Sequence, residues 1–184
     1  YDENDVLQKV PAVIIQNLIL AQQRAINYAN KKGVVIVASA GNDYANADGD
    51  ASLFKLPAQL QYVIAVSATA PNYWYSDLMS GTPDINFDIP SSYTNYGRSL
   101  VDLAAPGGDY DYYPQPFYYY DMVYSTTSGG FAWASGTSMA SPHVAGVAAL
   151  IISRYEGSLT PVDVEQKLYK TADQIEGSGI TAYF

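Results

Sequence analysis

The chain has 184 residues, of which 48% are hydrophobic and 15% charged, and this balance predicts one folded domain with a substantial core. The formal net charge is −9, with 9 Lys plus Arg spread along the chain, so we expect no nucleic-acid partner. The sequence has no cysteine, and its apolar runs are far too short to span a membrane.

The first pattern along the chain is a helix followed closely by a buried strand. Residues 12–32 carry apolar side chains at helical spacing, which predicts a helix with one buried stripe that stops at Gly33. The β-branched run 34–39 predicts a strand buried on both faces, and 62–68 and 100–105 repeat that pattern. These elements indicate an α/β fold with a mostly parallel central sheet.

Two segments interrupt the pattern, namely residues 71–92 and 107–121. Both are rich in turn-forming residues and tyrosine, which predicts long surface loops, and loops of this length often carry function. The second, Tyr-rich loop is either an ordered surface excursion or a recognition surface, because tyrosine gives contact area at low entropic cost.

Three further elements follow the loops. A hairpin-like segment covers 122–133, and a helix extends from about 138 to 153 with small or apolar residues on every face, which predicts burial all round. The last helix begins with Thr160 as N-cap, Pro161 at the first helical position and Asp163 in the first turn.

A Gly-Thr-Ser triplet places Ser138 at the start of the long helix. Pro142 is tolerable in the first turn, so the helix should begin near Ser138. Free N–H groups and the positive dipole end favour developing negative charge there. The simpler interpretation is that Thr137 or Ser138 is only an N-cap.

A second signal follows the strand 34–39, which continues into Ala-Gly-Asn. Gly41 leaves space for a ligand backbone, and Asn42 offers a side-chain amide donor beyond the carboxyl end of the strand. Alone this is a turn, but together with Gly-Thr-Ser it indicates a site.

Four stretches of the sequence resemble the subtilisin-like serine proteases, the subtilase family. They are "GTSMASPHVAG" (136–146), "VVIVASAGN" (34–42), "LPAQLQYVIAVSAT" (56–69) and "YTNYGRSLVDLAAPGG" (93–108). The resemblance covers about 16–176 and implies a three-layer subtilisin-like fold, incomplete at its N-terminal side. Residues 1–184 would then be the C-terminal portion of a single peptidase domain, with loop insertions at about 71–92 and 107–121.

The resemblance also implies roles for individual residues. Ser138 would be the nucleophile that attacks the peptide carbonyl, and the Asn42 side chain and the Ser138 backbone N–H would stabilise the oxyanion. The pocket for the residue before the scissile bond would be bordered by Ser39, Ala40 and Gly41. Lys55 would lie near its floor and favour acidic substrates, unless it is an ordinary solvated lysine.

The catalytic residues of the resemblance are incomplete in this sequence. The family needs an aspartate in an Asp-Thr/Ser-Gly segment and a histidine in a His-Gly-Thr segment, and neither occurs here. The single histidine, His143, is five positions after Ser138, about 140° around the helix, so it does not face the serine. The resemblance gives it a packing role. We therefore expect an additional N-terminal segment to supply Asp and His, and this chain alone to be inactive.

A weak calcium or monovalent-cation site is a further implication of the resemblance. Asp102 would supply a carboxylate, together with the backbone carbonyls of Ala58, Leu60 and Val63. Leu100 stands where some relatives add a second carboxylate, and an ordinary strand aspartate is the alternative.

The sequence therefore predicts a secreted serine endopeptidase that acts on protein or peptide substrates. We expect the chain to be a fragment of the enzyme, either after cleavage or as part of a longer chain. The alternative is a catalytically inactive scaffold that binds a partner through the Tyr-rich loop.

Overall fold

The computed structural model describes residues 10–49, 54–71, 73–81 and 86–175. Four α-helices occur in these ranges: α1 (Ala12–Lys31), α2 (Trp74–Ser80), α3 (Thr137–Arg154) and α4 (Pro161–Thr171). The strands are β1 (Ile36–Ser39), β2 (Val63–Ala70), β3 (Ile89–Pro90), β4 (Leu103–Pro106), β5 (Val123–Thr127) and β6 (Gly130–Ala134). A short 3₁₀ helix spans Tyr118–Asp121.

Strand β2 is the centre of the main sheet. It pairs in parallel with β1, where Val63 lies opposite Ile36, and with β4, where Val66 lies opposite Leu103. The two-residue β3 pairs with the end of β2 in the antiparallel direction. Every residue of β2 is buried, as expected for a parallel strand covered on both faces. The predicted, mostly parallel sheet is confirmed.

Helices cover both faces of this sheet. On one face, Val66 of β2 packs in a core with Val144 of α3 and Val164 of α4. On the other face, Ile26 of α1 packs in a second core with Ala65 of β2. The protein therefore has the predicted three layers, helix, sheet and helix.

The helices α1 and α3 are less buried than their sequences predict. Only one face of α3 is buried, while Val147 and Leu150 on the other face are 47% and 72% exposed. In α1 only Ile26 is buried, and Leu18 is 49% exposed. Helix α1 does contact the core along one stripe, through Ile26 and the partly buried Ile19, but the predicted member Leu18 lies outside this stripe. The prediction of all-round burial for α3 is wrong. The reason is that the described part of the chain places no further layer over these apolar faces.

The start of α3 differs from the predicted start, whereas the start of α4 agrees with it. Pro142 lies inside α3 at its sixth residue, so its predicted place in the first turn is wrong. Its ring removes the N–H group that would bond to the Ser138 carbonyl. In α4, Thr160 accepts a hydrogen bond from the Asp163 N–H and the Asp163 carboxylate accepts one from the Thr160 N–H, which confirms the predicted cap.

The two predicted surface loops contain short regular elements. Helix α2 and strand β3 lie within 71–92, and the 3₁₀ helix ends the segment 107–121. The carboxylate of Asp121 joins the segments, because it accepts hydrogen bonds from the N–H groups of Tyr73 (2.7 Å) and Trp74 (3.3 Å). Burial raises the pKa of Asp121.

The predicted hairpin is formed by β5 and β6, paired from Val123 with Ala134 to Thr127 with Gly130. One face of the hairpin carries Trp133, whose ring centroid is 5.6 Å from that of Tyr119 and 5.7 Å from that of Tyr120. These contacts pack the Tyr-rich loop against the face of the hairpin that carries Trp133. Within the described residues, no helix combines the length and the apolarity that crossing a membrane requires.

Candidate active site

Ser138 is exposed at the second residue of α3, and it faces a cavity of about 450 Å³. The walls of the cavity are the first turns of α3 and the face of the β5–β6 hairpin opposite Trp133. As the second helical residue, Ser138 has a backbone N–H that has no acceptor within the helix. The hydroxyl group and the backbone N–H donor of Ser138 therefore lie together at the N-terminus of α3, beside an open cavity.

The Asn42 side chain lies next to this helix start. Its Oδ1 atom accepts a hydrogen bond from the Thr137 N–H (3.0 Å) and another from the Thr137 hydroxyl (2.8 Å). Because Oδ1 is the acceptor of both bonds, the amide orientation is fixed and Nδ2 remains a donor. The predicted pair, Ser138 and Asn42, is thus brought together by the residue that precedes the serine.

The N-cap interpretation of Thr137 and Ser138 is not supported. The N-cap residue is Gly136, with a φ of 151° and no side-chain capping bond. The Thr137 hydroxyl instead accepts a hydrogen bond from the Gly41 N–H at 3.2 Å. Thr137 therefore connects the start of α3 to the loop after β1, a role that the sequence analysis missed.

His143 is exposed, so the packing role implied for it is wrong. Its Nδ1 atom lies 2.8 Å from the carbonyl oxygen of Met139, one turn earlier in α3. His143 and Ser138 line the same cavity, but no hydrogen bond joins them among the described contacts. The structure provides no base–nucleophile pair from these two residues.

The proposed pocket residues lie where β1 ends. Ser39 is the last residue of β1, and Ala40 is fully buried, with its N–H bonded to the Val66 carbonyl at 2.9 Å. Gly41 has a φ of 100°, and a Cβ atom there would clash with the side-chain amide of Asn95. The space at Gly41 is therefore occupied by Asn95, which the sequence analysis did not identify, rather than left for a ligand.

Lys55 is neither free nor fully solvated. Its ammonium group forms an ion pair with the carboxylate of Asp43, the residue after Asn42, and its side chain is 26% exposed. Hydrogen bonds from Lys55 and then from Asn95 lower the pKa of Asp43. Lys55 thus lies beside the predicted site, with its charge compensated by a neighbour.

Asp102 is bonded within the sheet. Its Oδ2 accepts a hydrogen bond from the Ala65 N–H at 2.8 Å, and burial raises the pKa of its carboxyl group. The Leu60 carbonyl accepts the Val63 N–H at 3.3 Å. No group of three or more His, Cys, Asp or Glu side chains in the described ranges is arranged to hold a metal ion. A weak site of one carboxylate with the carbonyls of Ala58, Leu60 and Val63 stays a prediction.

Comparison with known proteins identifies the family. The sequence profile described as "Subtilase family" matches residues 14–183, so the chain belongs to the subtilase family. The chain is 37% identical over 157 residues to a thermophilic serine proteinase from Bacillus sp. (strain AK1), a match that covers 85% of this chain and 30% of that protein. It is 38% identical over 160 residues to an extracellular protease from Xanthomonas campestris, covering 85% of this chain and 22% of the relative.

The solved structures agree with the fold. The structure of the epidermin leader peptide processing serine protease EpiP from Staphylococcus aureus superposes with a TM-score of 0.70 at 27% identity, over 89% of this chain and 40% of that chain. The subtilisin-like α/β fold is therefore confirmed. This chain spans less than half the length of each of these three proteins.

Proposed function

We propose that this chain is the part of a serine endopeptidase that carries the nucleophile and the oxyanion-binding groups. Ser138 attacks the carbonyl carbon of the scissile peptide bond. The negative charge that develops on the carbonyl oxygen is stabilised by the Asn42 Nδ2 and the Ser138 backbone N–H, at the positive end of α3.

The observation that carries this proposal is the contact of Asn42 with Thr137. Two hydrogen bonds to Oδ1 hold the amide beside the helix start, so that no reorganisation is needed when charge develops. An asparagine that only capped a helix would belong to the residues at the start of that helix. Asn42 instead comes from a loop 95 residues before Thr137.

The proposed base lies outside this chain. The sequence holds one histidine, and its Nδ1 is bonded to the Met139 carbonyl instead of to the serine. A serine hydroxyl without a base is a weak nucleophile. We therefore propose that additional polypeptide supplies the Asp and His and that this chain alone is inactive. The exposed Val147 and Leu150 favour coverage by such polypeptide.

The test is labelling of Ser138 by a fluorophosphonate in the full-length protein that contains this chain. We expect one phosphonyl adduct per molecule, located by peptide mass mapping at Ser138 and absent from the Ser138→Ala variant. The isolated chain, treated in the same way, should remain unlabelled. Full-length protein that is folded by circular dichroism but unlabelled would contradict the proposal.

A second candidate is a binding scaffold, favoured by the exposed aromatic rings of the Tyr-rich loop. Tyr110, Tyr113 and Phe117 are 51%, 66% and 42% exposed. If the full-length protein hydrolyses no peptide and Ser138 is not labelled by the fluorophosphonate, the binding function replaces the proposed peptidase function. Pull-down with wild type against a Tyr113→Ala variant would then test the loop.

Two finer features belong to the same proposal. Secretion is supported by the Xanthomonas relative, which is named an extracellular protease. Cation binding at Asp102 is supported by the family resemblance, and addition of calcium to metal-free protein should then raise Tm in wild type but not in Asp102→Asn.

A further inference from the structure

One buried residue, Asn95, makes several hydrogen bonds to the loop that carries Asn42. Asn95 is fully buried, and its backbone N–H bonds to the Gly41 carbonyl at 3.0 Å. Its side-chain Oδ1 accepts hydrogen bonds from the N–H groups of Asp43 and Ala45, each at 3.0 Å. These bonds reach residues on both sides of Asn42.

The other half of the Asn95 amide is directed at the same loop. Its Nδ2 donates to the Ala40 carbonyl at 2.8 Å and to the Asp43 carboxylate at 3.2 Å. A primary amide offers two donors and an acceptor oxygen with two lone pairs. Asn95 therefore uses its complete hydrogen-bonding capacity between Ala40 and Ala45, on a loop that lies 50 to 55 residues earlier in the sequence.

No other common side chain of this size satisfies the same partners. An aspartate at 95 would have no donor for the Ala40 carbonyl and would face the Asp43 carboxylate. A leucine would leave buried loop groups without hydrogen-bond partners, which is unfavourable in a buried site. Gly41 completes the fit, because any Cβ there would clash with the Asn95 amide.

We propose that Asn95 is a positioning residue for the oxyanion donor. It fixes the backbone before and after Asn42, and Thr137 fixes the Asn42 amide itself. With both held, the orientation of the Asn42 amide, and therefore of its Nδ2 donor, is fixed beside the start of α3. This inference rests on the proposed peptidase function, since Asn95 acts only through Asn42 and contacts no substrate.

The test is a double-mutant cycle of Asn42 and Asn95 in the full-length enzyme. Steady-state kcat and KM are measured on a peptide substrate, with kcat normalised to the sites that fluorophosphonate titrates, so that unfolded molecules do not count. Asn42→Ala should lower kcat about 10²–10³-fold, a magnitude known from a subtilisin rather than from this structure. Asn95→Ala should lower kcat about tenfold or more, with a smaller change in KM.

The decisive result is the double variant. If Asn95 acts through Asn42, adding Asn95→Ala to Asn42→Ala causes no further loss of kcat. If the two factors multiply, Asn95 is merely structural and the inference is overturned. Asn95→Asp, which keeps the acceptor oxygen, provides the same comparison should the alanine variant leave no titratable sites.

Ser91→Ala is the matched control. Ser91 is also buried in the segment before Asn95, but its hydroxyl donates to the Gly108 carbonyl at 2.9 Å, away from the loop. Its effect on kcat should be small and the same with or without Asn42. If Asn42→Ala itself leaves kcat unchanged, the peptidase proposal for Asn42 fails, and this result is distinct from multiplicative factors in the cycle.

Discussion

Thr137 and Asn42 are joined by two hydrogen bonds to one oxygen atom, from the threonine backbone N–H at 3.0 Å and from its hydroxyl at 2.8 Å. The same hydroxyl accepts a bond from the Gly41 N–H. Thr137, the residue before Ser138, therefore aligns the Asn42 amide and anchors the loop that carries it.

Removing the hydroxyl with Thr137→Val should impair catalysis more than substrate binding. The Thr137 N–H still holds Asn42, but the Gly41 N–H loses its acceptor and the amide gains freedom to rotate. We expect kcat to fall about tenfold, equivalent to about 1.4 kcal/mol of transition-state stabilisation, with little change in KM. Steady-state kinetics of the full-length protein measure this. Thr137→Ser, which keeps the hydroxyl, should retain most of the activity. An equal loss of kcat in both variants would contradict the proposed role of the Thr137 hydroxyl in aligning Asn42.

The ion pair of Asp43 and Lys55 should weaken any preference for acidic substrates. If Lys55 lies near the floor of the proposed pocket, its charge is compensated by Asp43 and acidic substrates gain little. Asp43→Asn should raise kcat/KM about fivefold for a substrate with Glu before the scissile bond, relative to the Gln analogue, since unit charges 4 Å apart in water interact by about 1 kcal/mol. The Glu/Gln ratio in Asp43→Asn plus Lys55→Gln is the control. A ratio unchanged in Asp43→Asn would place Lys55 outside the pocket.

Acid should destabilise the protein through the same carboxylate. Hydrogen bonds from Lys55 and Asn95 hold the pKa of Asp43 below its ordinary value of 3.8. Because the folded pKa is depressed, the contribution to stability is present above pH 3.8 and is lost as the pH falls through the folded pKa. The difference in Tm between wild type and Asp43→Asn should therefore shrink on acidification from pH 6 to about pH 3. A difference that stays constant over this range would argue against the pair.

The contact of Trp133 with the Tyr-rich loop should support the wall of the Ser138 cavity. Trp133 is 37% exposed, and its ring contacts Tyr119, Tyr120 and Tyr124. We expect Trp133→Ala to lower the free energy of unfolding by about 1–3 kcal/mol, less than for a fully buried tryptophan. KM should rise more than kcat falls, because the hairpin forms one side of the cavity.

Denaturant unfolding and steady-state kinetics test the Trp133 prediction together. Tyr113→Ala is the control, because Tyr113 is 66% exposed and its ring contacts Tyr118 rather than the hairpin. Equal effects of the two substitutions would show that the loop does not brace the hairpin.

The sequence predicted the frame of the site because local patterns define it. The β-branched run of β2 and the small residues of α3 specify the strand and the helix, and Gly-Thr-Ser marks the helix start. The cap at Thr160 also follows from adjacent residues. The helix α2, inside a segment predicted as loop, was missed because its start depends on the distant carboxylate of Asp121.

The contacts that align the site were not predictable in this way. Asn95 and Gly41 are separated by more than fifty residues, and nothing in either neighbourhood indicates that one side chain fills the space left by the other. The exposure of Leu150 likewise depends on which layers surround α3, which the composition of the helix alone does not reveal.

The fit between Gly41 and Asn95 has a consequence for protein engineering. A designer who transplants the stretch from Ala40 to Ala45 into another scaffold must carry Asn95 with it, because either part without its counterpart brings a steric overlap or stranded amide groups. Libraries that randomise this stretch should therefore keep position 41 as glycine and vary both stretches jointly.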